Sequence, residues 1–414
     1  MEPIITSLLD LDKYKLTMAQ IVKSLHPDVR VEYTFKNRTK IKLGNFIDHV
    51  ELHEQIKHIQ NLKFTPDELA FLKTDSVFAP INFVDFLAEI NGRGFSFYSG
   101  KTIDNDIHLR FQGPWYIAIL YETLILSLIN EMYTTTIMNN LSDGGKAALY
   151  NYENENFISK SNSLSANPDI KIIEFGTRRR FSKVHQRKIL ARLIEYNSKN
   201  LVGTSNVALA KELQIKSVGT VAHEFFMVRA AIDNAKGKLK TSQKESIKAW
   251  YDYYKHPLSI LLTDTFGTDS FFEDFDEEMS NNCMGVRQDS GDPFQFGEKT
   301  IAHYKKYGID PMTKTVVFSD GLDVSMILKL YDRFKNDFQM SFGWGTNLTN
   351  DVGIKPLSMV IKATEVSALT DKIYGESTVK LSDNLAKATG SPEMIEFYKK
   401  AFNYNKNDFV ETTY

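Results

Sequence analysis

The run from Met284 to Asp292 has the residue types and spacing of a polar pocket at the end of a β-strand. A short apolar segment ends at Arg287, and the acids Asp289 and Asp292 then surround a Ser-Gly pair. An arginine can bind an anion, an aspartate can hold a sugar hydroxyl or a metal-bound water, and a glycine lets the backbone approach a ligand closely. In an α/β protein this run predicts a polar pocket beyond the strand.

The glycine-rich turn Gly343-Trp344-Gly345-Thr346 indicates phosphate binding. Exposed N–H groups in such a turn can hold a phosphate monoester, especially where a helix starts. The sequence lacks the common nucleotide loop, because Gly144-Gly145-Lys146-Ala147 has neither its first glycine nor its hydroxyl residue. The alternative for residues 343–346 is a turn with a purely structural role.

Three consecutive arginines follow an apolar run that ends at Phe175. Arg178 is nearest the end of that run, where its guanidinium could bind a carboxylate or a phosphate with two parallel hydrogen bonds. The alternative is a solvated basic face that continues through Lys183, Arg187 and Lys188, and it explains most of these charges. Nucleic-acid binding is disfavoured, because the net charge of −2 leaves no basic surplus.

His223 follows Gly219-Thr220-Val221, at an expected helix start. An imidazole can act as a base or accept a phosphoryl group at neutral pH, although a packed structural histidine is the common alternative. Metal ligation is disfavoured because no His or Cys partner stands at ligand spacing. Asp320 could serve only as a helix N-cap, with Asp323 stabilising the first turn, and Tyr14 could be only a half-buried aromatic residue.

The elements that would position these residues repeat along the chain as a short apolar run followed by a small polar loop. Seven such runs occur, at 170–175, 201–202, 217–218, 260–262, 284–286, 315–318 and 340–342. Helical patterns lie between many of them, at Val207–Leu213, Glu224–Asn234, Phe296–Tyr307 and Asp323–Phe334. Strands that alternate with helices predict a parallel sheet, and seven units predict a closed or nearly closed α/β barrel whose functional loops lie at the strands' C-terminal ends.

The ends of the chain lack this rhythm. Strand patterns at Val31–Asn37 and Phe95–Tyr98, with helical patterns at Thr65–Leu72 and Phe83–Ile90, predict an α+β N-terminal domain. We therefore divide the chain into an N-terminal α+β domain (1–135), an irregular α/β barrel (136–365) and a C-terminal segment (366–414) that packs back on both.

Composition excludes several classes of protein. The chain has 414 residues, of which 42% are hydrophobic and 25% are charged, an ordinary globular balance. Cys283 is the single cysteine, which excludes an internal disulfide framework and a Cys-rich zinc site. The N-terminus has no secretory pattern, and the apolar stretch Trp115–Ile129 is too short to span a bilayer, so we expect a buried helix there and a cytoplasmic protein without membrane contact.

Taken together, the motifs resemble the nicotinate phosphoribosyltransferases, which are type II phosphoribosyltransferases. The matching segments keep their order along most of the chain: 12–15, 31–38, 174–181, 203–206, 219–224, 287–292, 319–323 and 342–348. The resemblance implies that nicotinate and phosphoribosyl pyrophosphate react to give nicotinate mononucleotide and pyrophosphate. This reaction would belong to NAD salvage. It also implies coupled ATP hydrolysis through a phosphorylated histidine, Mg²⁺ and ATP as cofactors, and a homodimer with shared active sites.

The resemblance also implies a role for each motif. His223 matches the phosphorylated histidine and, with Arg287 and Asp320, is expected to be catalytic. Phe175 and Tyr14 match the aromatic pair that holds the pyridine ring, with Tyr14 supplied by the partner subunit. The remaining substrate-binding matches are Arg178 at the ring's acyl group, Asp289 near the ribose and pyrophosphate, Gly343, Gly345 and Thr346 at the 5′-phosphate, and Arg38 at a phosphate across the dimer.

Ser205 bears on the choice of base. The related nicotinamide enzyme has an aspartate at this position, which would accept from an amide and repel a carboxylate, whereas Ser205 is neutral and able to donate. Nicotinate is therefore the expected base. The alternatives are a nicotinamide or other base phosphoribosyltransferase of the same fold and a non-catalytic nucleotide-binding barrel. A sugar-phosphate isomerase or aldolase barrel would require an active-site lysine or paired acids that the motifs do not show.

Overall fold

The computed structural model describes residues 2–78, 82–90, 96–103 and 105–405. The strands are β1 (Val29–Asn37), β2 (Ser96–Ile103), β3 (Asp106–Pro114), β4 (Ile172–Glu174), β5 (Leu201–Thr204), β6 (Ile260–Leu262), β7 (Gly285–Gln288), β8 (Thr315–Phe318), β9 (Gln339–Trp344), β10 (Met359–Ala368) and β11 (Ile373–Ser377). The helices of the first half are α1 (Lys13–Leu25), α2 (His49–Asn61), α3 (Pro66–Lys73), α4 (Phe83–Glu89), α5 (Trp115–Ala118), α6 (Tyr121–Asn140), α7 (Asp143–Ser165) and α8 (Lys183–Tyr196). Those of the second half are α9 (Val207–Leu213), α10 (His223–Ala235), α11 (Ser242–Tyr254), α12 (Thr268–Asp274), α13 (Glu277–Asn282), α14 (Pro293–Lys306), α15 (Val324–Phe334), α16 (Thr346–Thr349) and α17 (Pro392–Ala401).

Six parallel strands form the barrel, in the order β5-β4-β9-β8-β7-β6. The seventh predicted run closes the gap between β5 and β6: Ser217 forms a parallel bridge with Thr204, and the Thr220 hydroxyl donates to the Ile260 carbonyl at 2.8 Å. The barrel strands are short and apolar because helices cover the outside and side chains fill the inside. The predicted α/β barrel is confirmed.

A second, antiparallel sheet joins the two ends of the chain, in the order β11-β10-β1-β3-β2. Strand β10 pairs with β1 along its whole length, from Val29 opposite Ala368 to Asn37 opposite Met359. The predicted strand at Val31–Asn37 is confirmed, whereas Phe95 of the other predicted strand lies outside the described residues and β2 starts at Ser96. The division of the chain at residues 135 and 365 stays a prediction, and β10 runs through residue 365.

The apolar stretch that starts at Trp115 is longer than expected. It forms α5 and α6, and the combined Trp115–Asn140 segment of 26 residues is long and apolar enough to cross a membrane. The most apolar 18 residues of this segment are 89% buried inside the protein, where they lie among the other hydrophobic residues of the core. The prediction of a buried helix is confirmed, and the length argument is wrong because polar residues such as Glu122 and Thr123 do not end the helix.

Helix starts follow the local capping residues. Asn206 caps α9 through a side-chain bond to the Leu209 N–H, so the helix occupies the predicted residues. Asp323 caps α15 by accepting from the Met326 N–H at 2.7 Å. The cap is therefore Asp323, and the interpretation of Asp320 as a helix N-cap is wrong.

Candidate active site

A cavity of about 170 Å³ opens at the C-terminal ends of the barrel strands. Its lining includes most of the predicted site residues: Tyr14, Arg38, Phe175, Arg178, His223, Arg287, Asp289, Asp320, Gly343, Gly345 and Thr346. Ser205 lines an adjoining inner chamber that shares Tyr14, Phe175 and Arg178 with the main cavity. Tertiary structure thus brings all the predicted residues to one place, although the roles assigned to them remain predictions.

The loop after β4 presents Phe175. The preceding Glu174 is fully buried and accepts hydrogen bonds from the Gly176 N–H, the Thr204 hydroxyl and, at 3.0 Å, the Gln186 amide. Burial raises the pKa of Glu174 to about 6, although the hydrogen bonds from Thr204, Gly176 and Gln186 act in the opposite direction. This carboxylate therefore ties the Phe175 loop to the end of β5.

The Phe175 ring also touches the loop after β9. A Cβ atom added at Gly343 would come within 2.5 Å of two Phe175 ring atoms, so the ring needs a glycine at that position. The Arg287 guanidinium carbon lies 5.7 Å from the centroid of the same ring. The predicted base side and the predicted phosphate loop are thus in direct contact.

Tyr14 enters the cavity from the start of α1. This helix lies tightly on the loop before α10, since a Cβ atom at Gly219 would be 2.9 Å from the Tyr14 backbone nitrogen. The resemblance implied that Tyr14 and Arg38 act in a partner's site, but both line the cavity of their own chain. That implied placement is contradicted, because β1 and α1 fold over the barrel of the same chain.

Ser205 does not offer a free hydroxyl hydrogen to a base. Its Oγ donates to Asp12 Oδ1 at 2.7 Å, and Asp12 is only 2% exposed. The other Asp12 oxygen lies 3.9 Å from Arg178 Nε. The Ser205 hydroxyl is thus used by Asp12 in this structure, and Arg178 is a cation that can bind a carboxylate there. The role of Ser205 in the choice of base stays a prediction.

His223 is the first residue of α10, with its side chain almost fully buried. Its Nε2 lies 2.9 Å from Asp289 Oδ2 and 2.9 Å from Lys380 Nζ, and its Nδ1 lies 3.1 Å from Thr265 Oγ1. Burial and the Lys380 charge lower the pKa of His223 to about 4. The imidazole is therefore neutral at pH 7, and the tautomer with the proton on Nδ1 leaves a lone pair on Nε2.

Two acids face this imidazole. Burial raises the pKa of Asp289, but Arg287, at 2.8 Å, and His223 hold it well below its usual range. Asp264, which the sequence analysis missed, lies 3.6 Å from His223 Nε2. Among the described residues its Oδ1 has no hydrogen-bond partner although it is buried.

His223 has no His or Cys at ligand spacing along the chain, but folding brings two carboxylates close to it. In the fold, ligand atoms of His223, Asp264 and Asp289 lie within 4.8 Å of one another. Loops after different strands supply the two carboxylates, so no ligand spacing along the chain could show the cluster.

The C-terminal segment contributes two lysines that the sequence analysis missed. Lys380 lies 3.4 Å from Asp264 Oδ2 in addition to its contact with His223. Lys387 Nζ lies 2.5 Å from Asp320 Oδ1, and its carbonyl accepts from Arg38 at 3.3 Å. A partial signal was present in the sequence, because Val379 and Leu381 flank Lys380 just before the polar residues Ser382, Asp383 and Asn384.

Lys362 on β10 and Glu122 on α6 also belong to the charged lining and were missed, as was Glu224 on α10. Burial lowers the pKa of Lys362 to about 7, against the opposing effect of Glu122. Lys362 and Glu122 come from elements outside the barrel, where the search for strand-end loops did not extend.

The expected solvated basic face after Phe175 is wrong for Arg180. This side chain is fully buried and binds both oxygens of Asp10, at 2.6 and 2.8 Å. Arg187, in contrast, is half exposed and pairs with Glu212 on the surface. Arg180 therefore anchors the segment before α1 to the barrel, while the residues further along α8 behave as predicted.

This site has a flat aromatic side beside a guanidinium, and a polar side with a glycine turn, cations, acids and a neutral imidazole. In an α/β barrel such an arrangement defines an enzyme that binds a phosphorylated sugar next to a charged planar ring.

Comparisons with known proteins agree with that class. Residues 170–406 match the nicotinate phosphoribosyltransferase (NAPRTase) family, and residues 9–130 match the N-terminal domain of the same family. The nicotinate phosphoribosyltransferase of Acinetobacter baylyi is 36% identical over 97% of both chains. That of Burkholderia ambifaria is 37% identical over 93% of both chains.

Solved structures give the same result. The crystal structure of nicotinate phosphoribosyltransferase from Vibrio cholerae superposes with a TM-score of 0.86 and 32% identity, covering 98% of this chain and 95% of the other. The one from Porphyromonas gingivalis gives a TM-score of 0.85 and 30% identity, over 97% of this chain and 100% of the other. The chain belongs to the nicotinate phosphoribosyltransferase family.

Proposed function

We propose that this protein transfers the phosphoribosyl group of phosphoribosyl pyrophosphate to the ring nitrogen of nicotinate. The ring nitrogen forms a bond to ribose C1, the bond from C1 to the pyrophosphate oxygen breaks, and pyrophosphate leaves with that electron pair. The observation that carries the proposal is a single cavity in which Phe175, Tyr14 and Arg178 stand beside Arg287 and the Gly343–Thr346 turn. The ring nitrogen is already a nucleophile, so orientation contributes more than a general base.

The charges of the cavity suit this reaction. Negative charge grows on the departing pyrophosphate, and the cations Arg38, Lys362, Lys387 and Arg287 line the same space. Arg178 pairs with a carboxylate on the ring, which favours nicotinate over nicotinamide.

Mg²⁺ fits the acids of the site. Asp264 and Asp289 offer carboxylate oxygens within one cluster, and the unpaired buried Asp264 Oδ1 can accept a cation. These two residues would hold the ion, since Mg²⁺ prefers oxygen ligands. When bound, it neutralises negative charge on phosphate groups.

We also propose that ATP phosphorylates His223. The Nε2 lone pair attacks the γ-phosphorus, the bond from that phosphorus to the bridging β–γ oxygen breaks, and ADP leaves. Water later cleaves the P–N bond and releases phosphate. The low pKa of His223 keeps the imidazole neutral, the tautomer with its proton on Nδ1 provides the Nε2 lone pair, and Lys380 at 2.9 Å is placed to neutralise the incoming charge.

The assembly and location remain proposals. The resemblance implies a homodimer, and we propose that each copy has its own site, because Tyr14 and Arg38 line the cavity of their own chain. Activity per chain should then stay constant on dilution through the dimer dissociation range, as followed by light scattering and product formation. We keep the cytoplasm as the proposed location.

The test is to incubate the protein with nicotinate, phosphoribosyl pyrophosphate and Mg²⁺, with and without ATP, and to measure nicotinate mononucleotide. We expect product in both cases and more with ATP, together with a phosphohistidine signal that His223→Ala abolishes. Nicotinamide in the same assay should compete poorly. Absence of product would refute the transfer reaction, and full nicotinate-dependent ATPase activity in His223→Ala would refute the phosphohistidine.

A further inference from the structure

The carboxylate next to His223 is a buried junction between several elements. Glu224 Oε2 accepts from Lys15 Nζ at 2.6 Å, and Glu224 Oε1 accepts from Trp115 Nε1 at 2.8 Å and from the Tyr33 hydroxyl. These donors come from α1, α5 and β1, none of which belongs to the barrel. One carboxylate on the helix of the proposed phosphoryl acceptor therefore holds three elements that lie outside the barrel.

The main partner of Glu224 lies next to Tyr14. Lys15 has a fully buried side chain and also forms an ion pair with Glu122, whose side chain is 7% exposed. Its ammonium nitrogen is 5.5 Å from the centroid of the Tyr14 ring. Tyr14 and Lys15 are adjacent in sequence, as are His223 and Glu224. The ion pair between Lys15 and Glu224 therefore joins these two pairs of residues.

Further contacts between α1 and the loop before α10 reinforce the connection made by Lys15 and Glu224. The Thr17 hydroxyl donates to the Thr220 carbonyl at 2.7 Å, which ties the first turn of α1 to the loop before His223. The close approach at Gly219 leaves no room for a side chain between them. A buried charge that loses its partner strongly destabilises the folded state. Separating the first turns of α1 and α10 would therefore have a large free-energy cost.

We propose that Glu224 and Lys15 are positioning residues that join the ring-binding Tyr14 to the phosphoryl acceptor His223, and so couple ATP use to nucleotide formation. This inference rests on the proposed function. Neither residue is required for the bond-making steps, because the Glu224 oxygens are used by Lys15, Tyr33 and Trp115. Their effect is to fix the position of the ring-binding Tyr14 relative to the imidazole of His223.

The experiment measures ATP hydrolysed per nicotinate mononucleotide formed, in the wild-type protein and in Glu224→Gln. The substitution keeps the shape of the side chain and removes the charge that Lys15 requires. We expect the ratio to rise about tenfold, within the range of typical coupling energies between sites. ATP hydrolysis should continue without nicotinate in the variant, because His223 is intact.

Glu153→Gln is the matched control. Glu153 is also a buried carboxylate with two cationic partners, Lys188 at 2.6 Å and Arg192 at 3.2 Å, and it does not line the cavity. The Glu153→Gln substitution should lower the melting temperature and leave the ratio of ATP hydrolysed to nicotinate mononucleotide formed unchanged. An equal rise in both variants would show a general loss of stability and overturn the inference.

Tyr33→Phe removes a single donor to Glu224 and keeps the ring, which stacks on Phe111 at 4.8 Å. It provides the test if Glu224→Gln does not fold, and its ratio should rise in the same direction by less. An unchanged ratio in a folded Glu224 or Tyr33 variant would overturn the inference while leaving the proposed function intact. A wild-type protein that forms no nucleotide would overturn both.

Discussion

The barrel mouth and the cover over it contribute opposite parts of the site. The mouth, made of the loops after the barrel strands, supplies the acids Asp264, Asp289 and Asp320 together with the imidazole of His223. The cover, made of α1, α6, β1, β10 and residues 378–387, supplies the lysines and Arg38. The two regions meet through ion pairs: Lys387 binds Asp320 at 2.5 Å, and Lys380 lies 3.4 Å from Asp264.

This difference indicates how anionic substrates fit a site that already contains acids. Lys380 and Lys387 of the cover now pair with mouth carboxylates, so a phosphate that enters can take over the lysine, while a metal ion or a proton balances the acid. The barrel loops already carry Arg178 and Arg287 beside these acids, and the cover adds further cations to the same cavity. The cover makes the cavity suitable for polyanions.

The largest expected effect is that of Lys380→Met, because this lysine touches both the imidazole and Asp264. ATP hydrolysis should fall on the order of 100-fold, since the charge that faces the transferred phosphoryl group is lost. The acid limb of the pH profile should move up from about pH 4, because Lys380 helps to lower the pKa of His223 to about 4. Lys335→Met, at an exposed lysine that pairs with Asp332, should behave as wild type. ATPase activity near that of the wild type in Lys380→Met would show that this lysine of the cover does not stabilise phosphoryl transfer to His223.

Gly343→Ala tests the mouth with no change of charge. The added Cβ would come within 2.5 Å of the Phe175 ring and displace it, so the KM for nicotinate should rise about tenfold. Steady-state kinetics with nicotinate as the varied substrate give this value. Gly144→Ala on α7, where the nearest atom to an added Cβ is 4.0 Å away, is the control. An unaltered KM would mean that Phe175 does not hold the ring.

The smallest expected effect is the pH dependence contributed by Lys362. Burial lowers its pKa to about 7, so it is charged below that pH and loses its charge as the pH rises through 7. Because the charged form attracts phosphoribosyl pyrophosphate, kcat/KM for that substrate should fall about threefold from pH 6 to pH 8. Lys362→Met should remove this part of the profile. The same slope in the variant would assign the pH dependence to another group.

The barrel was predictable because each strand and its loop are local in sequence. The runs predicted at 170–175, 284–286 and 340–342 all proved to contain barrel strands, and the loops after them line the cavity. Asp264 followed one of these runs too, but Thr263-Asp264-Thr265 carries no motif that separates a site acid from a capping residue. The cover was not predictable in the same way, because Lys362, Lys380 and Lys387 lie far along the chain from the loops they face.

The alternation of strands and helices, the polar loops at the strand ends and, through the resemblance, the family all follow from the amino-acid sequence alone. Apolar periodicity and turn residues act over a few positions, so they can be read without the fold. Three features are visible only in the folded chain: Arg180 is buried, Ser205 is bonded to Asp12, and Tyr14 lines the cavity of its own chain. Each of these depends on a partner brought close by folding, and burial and charge pairing are properties of the packed site.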